Sequence, residues 1–155
     1  MPNELRLPRH DRTLIDYAVG PTPSYTTAKN PLRKRVAYAA VHVVTDTLAD
    51  TTPISPVRLD WEATMAYRRY LWSLGFAVAE AMDTAQRGMG LDWTTAQELI
   101  RRSLAEARAV GGVIACGAGT DHVLPRPGLT LADVEEAYAE QVGFVEDAGG
   151  RVILM

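Results

Sequence analysis

The sequence predicts an α/β fold built on a parallel sheet, and three observations carry that expectation. Short apolar runs alternate with amphipathic stretches of helical period, in the order β, loop, α, repeated until a fourth run, Val152-Ile153-Leu154-Met155. Each helical stretch opens at a capping residue and closes at glycine. Long polar segments follow the apolar runs, whereas short glycine turns follow the helices, which collects the polar segments at the carboxyl end of the sheet. This pattern leaves a closed barrel and an open sheet both open.

The elements are justified in chain order. Leu5–Leu7 and Thr13–Val19 are β-prone runs around Pro8-Arg9-His10-Asp11, predicting a small N-terminal hairpin. Gly20–Pro31, with three prolines and four Ser/Thr residues, reads as an extended connector, so residues 1–31 are set apart from residues 32–155. After Arg33-Lys34-Arg35, the unbroken run Val36–Val44 predicts a strand buried on both faces. Pro53 and Pro56 make Thr47–Pro56 a loop. Asp60 then caps a helix from Trp61 to Leu74, with Trp61, Met65, Leu71 and Leu74 inward, Arg68 and Arg69 outward, and Gly75 ending it. Phe76–Met82 is the second strand. Thr94 and Gln97 form a capping box for a helix over Thr95–Val110, about 24 Å long. Its core face is Leu99, Ile100, Leu104, Ala107 and Val110. Val113–Gly117 is the third strand, and Thr130 caps a helix over Leu131–Ala148.

Composition bounds function. The chain has 155 residues, enough for one domain, with 47% apolar and 23% charged residues. A net charge of −3 points to no nucleic-acid or anionic-membrane partner. No apolar run approaches the roughly 20 residues of a membrane span, and the N-terminus carries no signal-peptide core. The single cysteine, Cys116, rules out an internal disulfide framework and reads as a small core residue. A soluble cytoplasmic protein is expected.

The chemistry concentrates on Phe76–Asp92. Glu80 lies within the apolar strand, and Asp83, Thr84, Gln86 and Arg87 follow at its carboxyl end. Buried, Glu80 requires a partner, so it is either catalytic or structural. Arg87 either clamps a substrate anion or pairs with Asp83 or Asp92. His42, near the end of the first run, can converge with Glu80 and Asp83 as an acid/base set or a divalent-metal site, or lie in the core bonded to Glu80. Thr120, Asp121 and His122 follow the third strand and can line the same mouth. Gly88-Met89-Gly90 and Gly117-Ala118-Gly119 match neither the dinucleotide fingerprint nor the P-loop.

Val57–Trp61, Ala79–Leu91, Val113–Asp121 and Phe144–Met155 together resemble the dihydrodipicolinate synthase / N-acetylneuraminate lyase superfamily of (β/α)8 TIM barrels. The narrower resemblance is to a dihydrodipicolinate-synthase-like bacterial branch whose second strand ends in AEAMDTAQRGMGLDW, here Ala79–Trp93. The resemblance implies an N-terminal half-barrel: four strands and three helices after the hairpin, where a full barrel takes about 250 residues. It implies a class I lyase or aldolase, in which a lysine forms a Schiff base with a small 2-oxo acid. Thr84 is the position carried over as a donor to the substrate carboxylate. Asp83 departs from the relatives by placing a negative charge where they have a hydroxyl.

The family's lysine falls on the sixth strand. Lys29 and Lys34, the lysines present, both precede the first sheet strand. The expected partner is therefore a second polypeptide or a C-terminal half, or a second copy of the chain in a non-catalytic, self-associating half-barrel. The catalytic set expected is Glu80, Asp83 and His42, with Thr84, Gln86, Arg87, Thr120 and Asp121 binding substrate. No cofactor is implied, a divalent metal at His42, Glu80 and Asp83 being the alternative.

Overall fold

The computed structural model describes residues 4–21, 24, 36–49 and 57–155. Strands β1 (Glu4–Pro8) and β2 (Leu14–Ala18) pair antiparallel, with Leu7 opposite Ile15, in the expected hairpin. Most of the connector Gly20–Pro31, the basic Arg33–Arg35 and most of the loop Thr47–Pro56 lie outside the described residues.

Among the described residues the second sheet is parallel and four-stranded: β3 (Tyr38–Ala40), β4 (Ala77–Glu80), β5 (Ile114–Ala118) and β6 (Val152–Leu154). Its spatial order is β3-β4-β5-β6, the order of the chain. Helices α1 (Trp61–Ser73), α2 (Trp93–Val110) and α3 (Leu131–Asp147) form the three crossovers. Met65 of α1, Leu99 of α2 and Val145 of α3 share one core cluster with the strands, so all three helices lie on one face of the sheet. Val78, Ile114, Cys116 and Val152 belong to that face's core, together with Met65, Leu99, Ile100, Leu104 and Val145. Alternation turns Ala77, Ala79, Ala115 and Gly117 to the opposite face. A Cβ on Gly117 would lie 2.7 Å from the Ala81 carbonyl oxygen and 2.9 Å from the Met155 sulfur, so this face closes tightly over its backbone.

The helix boundaries follow local chemistry. The Asp60 side chain accepts the Ala63 N–H at 2.9 Å, and Thr130 forms a reciprocal capping box with Asp133. Gly75, Gly111 and Gly149 leave the helices at φ 86°, 69° and 75°. The α2 cap differs from the expected Thr94–Gln97 box. Asp92 takes the cap by accepting Thr95 N–H at 2.7 Å, a carboxylate two residues earlier serving the same exposed donors, and the helix begins at Trp93.

Three further expectations are corrected. The run Val36–Val44 pairs over only Tyr38–Ala40; Val36 is 68% exposed, and within β3 Tyr38 and Ala40 are exposed and Ala39 is half-buried, so the strand is not buried on both faces. Val110 is exposed beside the terminating glycine. Arg68, expected outward, is completely buried, because Glu80 lies beneath α1 and requires a cation.

Candidate functional site

The carboxyl ends of β4 and β5 are bound together by two buried arginines. Arg68 of α1 donates from Nε to Glu80 Oε2 and from Nη2 to Glu80 Oε1, both at 2.7 Å. Its Nη1 donates to the carbonyls of His42 (2.7 Å) and Thr64 (3.1 Å). Both side chains of the pair are inaccessible. Glu80 Oε1 also accepts the Ala81 N–H at 2.8 Å. That bond holds Ala81 at φ 52°, a left-handed conformation that costs an L-residue with a Cβ roughly 1–2 kcal/mol.

Arg87 sits on the other side of this bend. All five of its N–H donors are engaged. Nη1 donates to Gly117 O (2.8 Å) and Ala81 O (3.4 Å). Nη2 donates to Asp121 Oδ1 and Gln141 Oε1, each at 2.5 Å, and Nε donates to Asp121 Oδ2 at 3.3 Å. The guanidinium carbon lies 4.9 Å from the centroid of the Trp93 ring. Arg87 thus pairs with Asp121, rather than with the nearer-in-sequence Asp83 or Asp92, and joins two strand ends to α3.

Gln141 is fully buried on α3, and its amide orientation is dictated by its neighbours. Oε1 faces two donors, Arg87 Nη2 and the Gly119 N–H (2.7 Å). Nε2 must then face Asp121 Oδ1 (3.0 Å) and His122 Nδ1 (2.8 Å). His122 Nδ1 is therefore an acceptor, and its hydrogen sits on Nε2, 3.1 Å from Glu140 Oε2. Burial opposes ionisation of Asp121. The hydrogen bonds from Gln141 and Arg87, with the Arg87 charge, outweigh it and hold the carboxyl below its ordinary range. A cleft of about 520 Å³ opens here between the start of α2 and the loop after β5, with Trp93, Asp121 and His122 in its wall.

The remaining predicted residues form a second group. His42 is exposed, with Nδ1 3.0 Å from the Thr84 carbonyl, and the Thr84 hydroxyl donates to Val41 O at 3.3 Å. Asp83, exposed, begins the short 3-10 turn Asp83–Ala85. Gln86 closes that turn at φ 59°; its carbonyl accepts the Met89 and Leu91 N–H groups, and its side chain points to solvent. The Thr120 carbonyl accepts Val123 N–H at 3.0 Å.

His42 and Thr84 are thus together, as are Arg87 and Asp121, while Glu80 is committed to Arg68 rather than to His42. Among the described residues, no group of three or more His, Cys, Asp and Glu side chains is placed to hold a metal ion. Cys116, opposite Glu80 in the sheet, is buried, and desolvation, with the Glu80 charge second, pushes its thiol up to about 12.

Sequence reasoning missed Arg68, Gln141, Trp93 and Glu140. A signal existed for two. Gln141 stands four residues from both Ala137 and Val145, all three buried, and Arg68 lies between Met65 and Leu71 on the buried stripe of α1. A polar side chain inside a stripe of helical period marks a buried bond seeking its partner.

The molecule is a parallel α/β protein with a polar constellation at its strand ends. A family model described as Protein of unknown function (DUF993) matches residues 5–155, and the chain belongs to that family. No curated protein matches it. Among the described residues, no helix is long and apolar enough to cross a membrane.

Proposed function

We propose that this chain forms the N-terminal half of a (β/α)8 barrel of the dihydrodipicolinate-synthase-like type, contributing one wall of a class I lyase site for a small 2-oxo acid. The supporting observation is the sheet itself: four parallel strands in chain order, with polar loops at the ends of β4 and β5. A reversal of strand order would have indicated an open doubly wound sheet instead.

In this reading a lysine of the second half condenses with the 2-oxo carbonyl and releases water. The resulting iminium then takes up the electron pair of the breaking bond. Thr84 donates its hydroxyl to the substrate carboxylate in exchange for the Val41 carbonyl. His42 and Asp83 stand exposed at the same rim to move protons, and Gln86 and Thr120 flank it. The buried Glu80–Arg68 and Arg87–Asp121 pairs hold the wall in shape.

Borohydride reduction with pyruvate tests the reading. The chain combined with the C-terminal half should yield a covalent adduct on that half, weakened by Thr84→Val, and the chain alone should yield none. Absence of an adduct in the folded pair would overturn it. The alternative, a self-associating non-catalytic half-barrel, is favoured by β3 and β6 each having a single neighbour in the described sheet. A tight homodimer by sedimentation, without trapping, would select it.

A further inference from the structure

Glu140 occupies a position that a ligand could take. Its carboxylate receives two N–H donors from different elements: His122 Nε2, 3.1 Å from Oε2, and Trp93 Nε1, 3.3 Å from Oε1. The donors and the acceptor are held very differently. Trp93 is fixed edge-on to Phe144, ring centroids 5.3 Å apart at 74°, with Arg87 over its face and the His122 ring 6.0 Å away. His122 is fixed through Nδ1 by Gln141, whose own orientation is dictated by Arg87 and Gly119. Its side chain is 16% exposed, whereas that of Glu140 is 57% exposed. Two preorganised donors on the wall of the cleft thus converge on a carboxylate that solvent can readily reclaim.

We propose that this pair of donors is a binding site for a small carboxylate, and that Glu140 is its internal stand-in. A ligand carboxylate entering the 520 Å³ cleft would take the Nε1–H of Trp93 and the Nε2–H of His122 while the Glu140 side chain turns into water. One carboxylate replaces another, so the two donors remain satisfied throughout. The rest of the ligand would lie towards Leu91 and Leu124, which favours a short apolar body behind the charged head. The nearby Asp121 does not repel it as a free charge would, because Arg87 neutralises it. Glu140 also sets the affinity: the site opens only as far as the ligand outcompetes a tethered carboxylate at high local concentration. The site needs neither a lysine nor a second half, so it stands or falls apart from the lyase reading.

The test is a titration of the full chain with pyruvate, following the indole N–H resonances of the three tryptophans, with lactamide as the uncharged control. Pyruvate should move the Trp93 signal and leave those of Trp61 and Trp72 in place, and lactamide should move none. Glu140→Ala should tighten pyruvate binding by about tenfold, the loss of one charge-assisted competitor. Glu140→Gln should fall between the two, and His122→Phe should abolish binding in a protein whose other indole signals are unchanged. Glu140→Ala binding pyruvate no better than wild type, or lactamide binding as well as pyruvate, would overturn the proposal.

Discussion

Two buried arginines anchor the end of β4, and they solve the same problem in opposite ways. Arg68 is sealed under α1 with Glu80, both side chains at 0% exposure. Arg87 is equally buried at 1%, but its partner Asp121 is 17% exposed and borders the cleft. The first pair spends its hydrogen bonds inside one crossover, on Glu80 and the carbonyls of His42 and Thr64. The second reaches across β4, β5 and α3, and through Gln141 it orients His122. The lesson is that burial of an ion pair does not assign its role. The accessibility of the weaker-held partner does, because only a partner within reach of solvent can meet a ligand.

Replacing one member of the sealed pair should have the largest effect. Arg68→Met leaves the Glu80 carboxylate buried without a cation, an expected loss of about 3–5 kcal/mol in urea unfolding at neutral pH. Replacing both, Arg68→Met with Glu80→Leu, should recover most of it, since no charge is then stranded. A single substitution costing less than about 1 kcal/mol, the value of a surface pair, would erase the distinction between the two arginines.

Arg87→Lys should cost less, about 2 kcal/mol, because charge is kept while the fork that reaches Asp121, Gln141 and two carbonyls is lost. Its distinguishing sign is a shift of the Trp93 indole resonance, which Arg68 variants should leave unchanged.

A smaller effect reads the Arg87–Asp121 pair by pH. The Asp121 carboxyl is held below its ordinary value of 3.8, so the stability it contributes is complete above that value and is lost as pH falls through the lower native one. Asp11 and Asp133 are lowered as well, so the informative quantity is the difference between wild type and Asp121→Asn. The variant should show a flatter acid limb. Parallel acid limbs would show that Asp121 contributes no pH-dependent stability.

Smallest in energy, and a probe of the sealed side alone, is Cys116. With its thiol pushed up to about 12 it should resist iodoacetamide at pH 8 in the native protein and react in proportion to the unfolded population. Fast labelling of native protein would show that the region around Glu80 opens locally.

Much of this architecture is legible in the sequence. Helix starts at Asp60 and Thr130, stops at glycine, and the four apolar runs all correspond to elements of the structure, because caps, glycine turns and periodicity act over a few residues. The polar loops at the strand ends are legible as well. The bonding within them is not. Arg68 read as a solvent-facing charge, and Gln141 did not register, although each interrupts a buried helical stripe.

The local sequence therefore accounts for the order, type and approximate limits of the elements, since each is specified by neighbours within a turn of the helix or a strand length. Which buried polar group meets which could emerge only on folding. Arg68 and Glu80 are 12 residues apart, Arg87 and Asp121 34, and Arg87 and Gln141 54. Those distances close only when parallel strands align and the helices stack on one face. Each desolvated arginine then bonds to whatever carboxylate and carbonyls lie within reach.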